Sequence, residues 1–244
     1  MSLAKLLLGD YASVGLNNKG FRHHWIKNVL SFIPPGESIL DAGAGECQFK
    51  KDCSHLKYTS QDFAQYDGVG DKKGIQAGAW DRTKLDIVSD ITHIPVPDAA
   101  FQNVICTEVF QHLPDPVAAI KELVRVLSPG GKLIITAPFA SLTHFAPYHF
   151  GSGYNKYFYT HWSEKLNVDV LELSYNGNYF EFMAQELRYS KQVAAEYANT
   201  KQTFFEKIAM RRMLSWLQKA SANNRRSEEL LAFGIHFIGK KKSI

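Results

Sequence analysis

The residues best placed to do chemistry lie in one short segment, Ile39-Leu40-Asp41-Ala42-Gly43-Ala44-Gly45-Glu46-Cys47. An apolar strand ending in an acid and two glycines, with a helix to follow, brings backbone within reach of a nucleotide-like ligand. Gly43 and Gly45 permit a tight turn and an approach that side chains would block. Asp62 closes the next strand-like run about twenty residues after Asp41, the spacing at which a carboxylate accepts hydrogen bonds from ribose hydroxyls. A nicotinamide dinucleotide site, the signature of an oxidoreductase, fits this loop poorly. Its G-x-G-x-x-G fingerprint needs glycine at position 48, which is Gln48, and it asks for no acid before the turn. No G-K-[ST] follows either, so a P-loop is excluded. Asp41 is therefore expected beside a cationic group rather than a pyrophosphate.

A second set of reactive types lies further on. His112 follows the fourth strand-like run, and His144, Tyr148 and His149 follow the fifth. A neutral imidazole is suited to take a proton near pH 7. No C-x-x-C pair and no histidine pair at i, i+4 points to a metal, and none is expected.

Short β-like runs alternating with helical patterns must position these groups, and that alternation predicts an α/β fold, a doubly wound, mostly parallel sheet with helices on both faces. The predicted strands are Ser38–Asp41, Tyr58–Asp62, Asp86–Ser89, Asn103–Thr107, Lys132–Ala137, Val168–Leu173 and Phe233–Lys240. Pro116–Leu127 carries apolar residues at helical spacing after Asp115-Pro116, a cap followed by proline in the first turn, and Pro129-Gly130-Gly131 is expected to stop it. A helix is expected near Tyr157–Leu166, and one helical stretch from about Phe182 to Ala220 as an insertion before the last strand. Met1–Ile33 reads as mostly helical. The whole chain is expected to form one domain, with residues 1–36 as an N-terminal helical extension, 37–140 as a cofactor-binding core and 141–244 as the substrate side.

Four motifs in order resemble the class I S-adenosylmethionine-dependent methyltransferases, specifically the broad small-molecule group. Leu40-Asp41-Ala42-Gly43-Ala44-Gly45 is similar to that family's first motif, and Asp90 to Phe101 to its third-strand pattern D-x-x-x-[IL]-P-x-x-D-x-x-F. Thr107 to Pro116 resembles the segment after its fourth strand, while Glu122, Arg125-Val126-Leu127 and Pro129-Gly130-Gly131 match the helix and turn before its fifth. The resemblance covers roughly residues 37 to 140 and implies a seven-stranded Rossmann-like sheet with S-adenosyl-L-methionine as cofactor. It implies that Asp41 and the Gly43 and Gly45 backbone face the methionine part, and that Asp62 holds the ribose hydroxyls. Asp90 would accept from the adenine amino group, the Ile91 amide would meet the ring, and the Thr107 carbonyl would face the cofactor ammonium. Cys47 stands where a third glycine is common. That glycine is expected mainly to ease helix packing, so the change should leave binding intact. The glycine-rich stretch between Asp62 and Asp86 is longer than usual and reads either as a flap over the cofactor or as an irregular surface loop.

The implied activity is methyl transfer to a small-molecule acceptor, flat and sugar-like or lipid-linked from the aromatic segment after the fifth strand. His144, Tyr148 and His149 are expected to line that pocket, with His112 as the next candidate base. A protein that binds the cofactor without transferring its methyl group would leave the same trace. Nucleic-acid acceptors are not expected: Thr107-Glu108-Val109-Phe110 replaces the Asn/Asp-Pro-Pro-Tyr segment of amine-modifying enzymes, and Cys106 lies in an apolar run rather than exposed as a nucleophile.

Composition agrees with a soluble globular chain. Of 244 residues 45% are hydrophobic and 21% charged, enough apolar material to offset ordering entropy. Three cysteines cannot all pair, which favours a reducing, cytoplasmic setting. No signal peptide is read in Met1–Asp10. Leu133–Asn155 lacks charge but is interrupted by Pro138, Pro147, Gly151 and Gly153, so it is no membrane-spanning helix. The net charge of +4 is uneven, because residues 188–226 carry nine basic side chains against two acids. Within them Thr203–Ala220 reads as an amphipathic helix with Phe205, Ile208, Ala209, Met213, Trp216 and Leu217 on its apolar face. Packing of that stripe in the core is expected, with a lid or a membrane-surface contact as alternatives.

Overall fold

The computed structural model describes residues 12–81 and 83–243. The segment Met1–Asp10, read above for targeting and helix, lies outside them. Two compact units are present, one built on Arg22–Ser174 with the C-terminal strand, the other on residues 12–21 with Tyr175–Phe233.

The larger unit is organised around a seven-stranded sheet. Its strands are β1 (Ser38–Ala42), β2 (Lys57–Asp62), β3 (Ile87–Val88), β4 (Phe101–Thr107), β5 (Leu127–Pro138), β6 (Val168–Asn176) and β7 (Gly234–Lys241). Their spatial order is β3-β2-β1-β4-β5-β7-β6. Strands β1 to β5 run parallel, and β7 pairs antiparallel with β5. The order reverses between β1 and β4, and in such sheets ligands bind beyond the carboxyl ends of the strands at that point. Helix α1 (Asn18–Ser31) buries Ile26 and Leu30 against Ile39, Phe49, Ile105 and Ile134, which closes one face of the sheet. Helix α2 (Pro116–Val126) opens as expected, with the Asp115 carboxylate accepting from the Ala118 amide and Pro116 in the first turn. Helix α3 (Lys156–Lys165) precedes β6.

Three details differ from the sequence reading. No regular helix follows the glycine loop. Residues 45–55 form successive turns in which Cys47, Lys50 and Asp52 donate to the carbonyl three residues back. Cys47 has φ +57°, a left-handed conformation that breaks a right-handed helical ladder at its start. Position 47 thus favours glycine for its backbone, not for helix packing. Pro129-Gly130-Gly131 is a bulge inside β5 rather than a turn before it: Phe101 pairs with Leu127 but Asn103 already with Lys132.

The third difference lies in the smaller unit, where the helical stretch is two helices, α4 (Tyr179–Tyr197) and α5 (Phe204–Ala222). Asn178 caps α4, and Thr203 with Glu206 forms a capping box on α5. The core of this unit is Ala12, Val14, Ala184, Leu214 and Leu217, with Met210 packed beside it. Of the predicted apolar stripe only Leu217 is buried. Phe205, Met213 and Trp216 are exposed, because α5 turns the row 210–214–217 inward instead. Among the described residues no helix is long and apolar enough to cross a membrane.

Candidate active site

At the carboxyl end of β1 the chain turns through Gly43, and the amides of Gly43 and Ala44 both donate to the Gln61 carbonyl near the end of β2. Gly43 has φ +74°, and a Cβ there would stand 2.4 Å from Val109 Cγ2, so no side chain fits. The Asp62 carboxylate braces the same loop, accepting from the Gly45 amide at 3.0 Å and from the Ala64 amide at 2.9 Å. A carboxylate has about four acceptor positions, so capacity remains for hydroxyls of a ligand.

Asp41 is only 1% exposed, and its one side-chain hydrogen bond among the described residues comes from the Tyr58 hydroxyl, which donates at 2.6 Å. Burial pushes the Asp41 carboxyl up to about 6, against the lowering effect of the Tyr58 bond, and the nearby Asp62 charge raises it further. Among the described residues no cationic side chain pairs with this buried acid. Thr107 is buried at the end of β4, beside Thr136 of β5.

Past β3, the Asp90 carboxylate accepts from the Thr92 amide and hydroxyl, both at 2.8 Å, and Ile91 is buried. Helix α2 holds this segment. Glu122 accepts from the Ile94 amide at 2.6 Å and from Arg125 through both its oxygens at 2.7 Å. Arg125 in turn donates to the carbonyls of Ile94 and Val96 and to Asp98. The bonding to Arg125 holds the Glu122 carboxyl below the usual range. The spacing Glu122-x-x-Arg125 is therefore a clamp that sets where Asp90 and Ile91 stand.

The two loops left open by the sequence clasp each other. Phe145 donates to the Ile75 carbonyl at 2.8 Å, Ile75 to Thr143 at 3.1 Å, and Asp71 to Ala146 at 3.0 Å. Gly70 permits this crossing, since a Cβ there would lie 2.0 Å from the Ala146 carbonyl oxygen. The stretch between Asp62 and Asp86 is thus tied down along much of its length. Its Trp80 lays its indole against Gly45 and touches the Phe145 ring at 5.3 Å. Phe145 stacks on Tyr66 at 4.7 Å and on His112 at 5.1 Å.

His112, His144, Tyr148 and His149 come together, so the next candidate base stands beside the three residues read as pocket lining. The His112 ring lies 4.7 Å from that of His144 and 5.9 Å from that of His149, all edge to face. His112 Nδ1 bonds the Tyr148 carbonyl at 2.6 Å and His144 Nδ1 the Leu142 carbonyl at 2.8 Å. Burial lowers the His112 pKa to about 3, assisted by His144, so this ring is neutral at pH 7. Such a ring holds a proton too weakly to serve as an efficient base. Burial lowers His149 as well. Contact between Phe63, the residue after Asp62, and Tyr148 at 5.0 Å joins this cluster to the glycine-loop acids, as the Gly45–Trp80–Phe145–His112 series does from the other side.

Sequence reasoning missed Tyr58, Trp80, Tyr66 and Phe145. Tyr58 was readable in principle, as it starts the strand paired with β1, in register with Ile39. The other three depend on a loop crossing that no periodicity reports.

These residues fit S-adenosylmethionine on three observations: the uncompensated Asp41, the spare capacity of Asp62, and a buried Trp80 Nε1 with no hydrogen-bond partner among the described residues. Comparison with known proteins agrees. Residues 40–135 match the family described as "Methyltransferase domain". The demethylmenaquinone methyltransferase of Deinococcus radiodurans is 28% identical over 133 residues, 53% of each chain. The ubiquinone/menaquinone biosynthesis C-methyltransferase of Bdellovibrio bacteriovorus is 30% identical over 128 residues, 48% of this chain and 51% of that one. The chain thus spans about half the length of these relatives. Among solved structures, the [4+2]-cyclase SpnF superposes with a TM-score of 0.56 at 15% identity, covering 98% of this chain and 86% of that one. Phosphoethanolamine N-methyltransferase 2 of Haemonchus contortus, in complex with S-adenosyl-L-methionine, gives 0.51 at 16% identity over 98% of this chain and 56% of that one. Fold, loop and motif agree: residues 40–135 match the methyltransferase-domain family, on a sheet like that of the class I, S-adenosylmethionine-dependent methyltransferases.

Proposed function

We propose that the chain transfers a methyl group from S-adenosylmethionine to a small-molecule acceptor seated against His112, His144, Tyr148 and His149. One observation carries this reading: the aromatic contacts through Trp80 and Phe63 join the braced Gly45–Asp62 loop directly to the histidine cluster. When bound, the cofactor supplies a methyl group activated on a sulfonium. The protein's part is then orientation and exclusion of water, which suit an in-line displacement. Asp62 takes the ribose hydroxyls, Asp90 and the Ile91 amide the adenine, and Asp41 with the Thr107 carbonyl the ammonium. Tyr66, Phe145 and Tyr148 favour a flat ring as acceptor. The quinone pathways named for the relatives support a ring of that kind over a sugar. The imidazole lone pairs of His144 and His149, rather than that of His112, hold or receive the acceptor's proton. All three cysteines are free and buried, in keeping with a reducing, cytoplasmic setting.

A second reading is binding without methyl transfer. It is favoured by the shared fold with a cyclase, since a fold hosts more than one chemistry. Incubation with S-adenosylmethionine labelled in the methyl group, against panels of hydroxylated aromatic rings and of sugar nucleotides, separates the two. Label in a ring acceptor is the expected result. A chain that binds cofactor and labels no member of either panel would favour the second reading.

A further inference from the structure

Sequence spacing gave no sign of a metal, yet the fold brings three imidazoles to one point. We propose that His112, His144 and His149 form a binding site for one divalent transition-metal ion of the zinc class. One ring nitrogen from each lies within 4.8 Å of the other two. A tetrahedral zinc with Zn–N bonds of 2.0–2.1 Å sets its ligand nitrogens about 3.4 Å apart, so closure needs side-chain movements of roughly an ångström.

The hydrogen bonds fix which nitrogens are free. His112 and His144 each direct Nδ1 at a backbone carbonyl, those of Tyr148 and Leu142, which places the proton on Nδ1 and the lone pair on Nε2. Backbone carbonyls that orient imidazoles in this manner are the usual outer partners of metal-bound histidine. His112 Nε2 is buried and has no hydrogen-bond partner among the described residues. Among the described residues His144 Nε2 meets only the Gln111 amide nitrogen, at 3.5 Å. His149 Nδ1 accepts one long bond, from the His144 amide at 3.4 Å, and among the described residues its Nε2 makes no hydrogen bond. The His144 and His149 rings lie edge to face, with centroids 4.7 Å apart, rather than stacked face on face.

Three imidazoles and no carboxylate in the group select zinc, cobalt, nickel or copper over magnesium or calcium. Three protein ligands also leave a fourth position open, the arrangement of a catalytic rather than a structural zinc. An acceptor oxygen in that position would bind with its proton made more acidic, a task otherwise left to the imidazoles themselves. That use of the metal rests on the acceptor site proposed above; the metal site itself does not.

The test uses the full chain, stripped with a chelator and titrated with Co²⁺ and with Zn²⁺. Visible absorption of the cobalt form and calorimetry report binding, while S-adenosylhomocysteine affinity is measured on the same samples. Expected are one ion per chain, the intense visible bands of four-coordinate cobalt, and a zinc-dependent rise in melting temperature. His144→Ala and His149→Gln should each weaken the ion by about tenfold or more. His161→Ala, an exposed histidine of α3, should leave it unchanged. Wild-type protein that binds neither ion in saturable fashion overturns the metal site, whether or not S-adenosylhomocysteine binds. Equal ion affinity in wild type, His144→Ala and His149→Gln overturns it too. Intact cobalt binding with no S-adenosylhomocysteine binding would support the site and count against the methyltransferase reading alone.

Discussion

Replacing Asp41 with Asn should stabilise the cofactor-free protein while weakening its hold on the cofactor. The Asp41 carboxyl rises from 3.8 to about 6 in the folded state, chiefly through burial. Between those two values the folded chain binds a proton that the unfolded chain has released, so stability falls as pH rises through that window. Above pH 6 the full penalty is present, about 3 kcal/mol at 1.36 kcal/mol for each pKa unit. Below pH 3.8 it is gone. Asn keeps an oxygen that can accept from Tyr58, but its amide hydrogens need partners, which costs about 1–2 kcal/mol. The net gain at pH 7.5 is then roughly 1–2 kcal/mol, or about 2–8 °C in melting temperature for a chain of this size. The cleaner quantity is the pH difference, since the cost of the amide is constant. Melting wild type and Asp41→Asn side by side from pH 4 to pH 7.5, without cofactor, should show the variant's relative stability rising by about 2.4 kcal/mol. A difference that stays flat with pH, or that shrinks as pH rises, would refute the view of Asp41 as a buried charge awaiting a cation.

Three further outcomes are expected. Arg125→Ala removes the partner of a Glu122 that is 8% exposed, and should cost about 3 kcal/mol or more in chemical denaturation while lowering cofactor affinity through the loosened Asp90 segment. An unchanged denaturation midpoint would show that the clamp carries no strain of position. His236 stacks on Trp25 at 4.4 Å, and burial lowers its pKa from 6.5 to about 4. The unfolded chain therefore binds the extra proton as pH falls from 6.5 to 4, and up to about 3 kcal/mol of stability is lost across that range. His236→Phe, which keeps the stack, should flatten this acid-side loss, and an unaltered pH profile would assign the loss elsewhere. Finally, the Trp80 indole rests against Gly45, so adding cofactor should change tryptophan emission in wild type and leave Trp80→Phe nearly silent. Equal responses would place the ligand away from that loop.

The cofactor half of the molecule was legible because its signals are local. Gly43, Gly45 and Asp62 act through backbone turns and strand ends, and Glu122 with Arg125 through one helical turn; each leaves a fixed spacing in the chain. The positions of the seven strands along the chain followed from the same alternation. What the sequence hid depends on contacts between segments distant along the chain. Trp80 reaches Gly45, Ile75 meets Phe145, and His112 joins His144 and His149, all through the crossing of two irregular loops. The α5 stripe failed for another reason. Phe205, Met213 and Trp216 share a helical face with Leu217 closely enough that periodicity alone does not decide which neighbouring row turns inward. At Cys47 the family pattern pointed to packing, and the backbone angle shows that the demand there is conformational.

In the proposed complex S-adenosylmethionine lies on the Gly43–Asp62 loop and its adenine meets Asp90. Calorimetric titration of S-adenosylhomocysteine into wild type, Asp62→Asn and Asp90→Ala tests it most directly. Saturable one-to-one binding by wild type is predicted, with each variant weaker by about 1.5–3 kcal/mol, roughly ten- to a hundredfold, as expected for hydrogen bonds to a charged group. Undiminished affinity in both variants, or preference of wild type for a nicotinamide dinucleotide, would place the cofactor elsewhere or replace it with another.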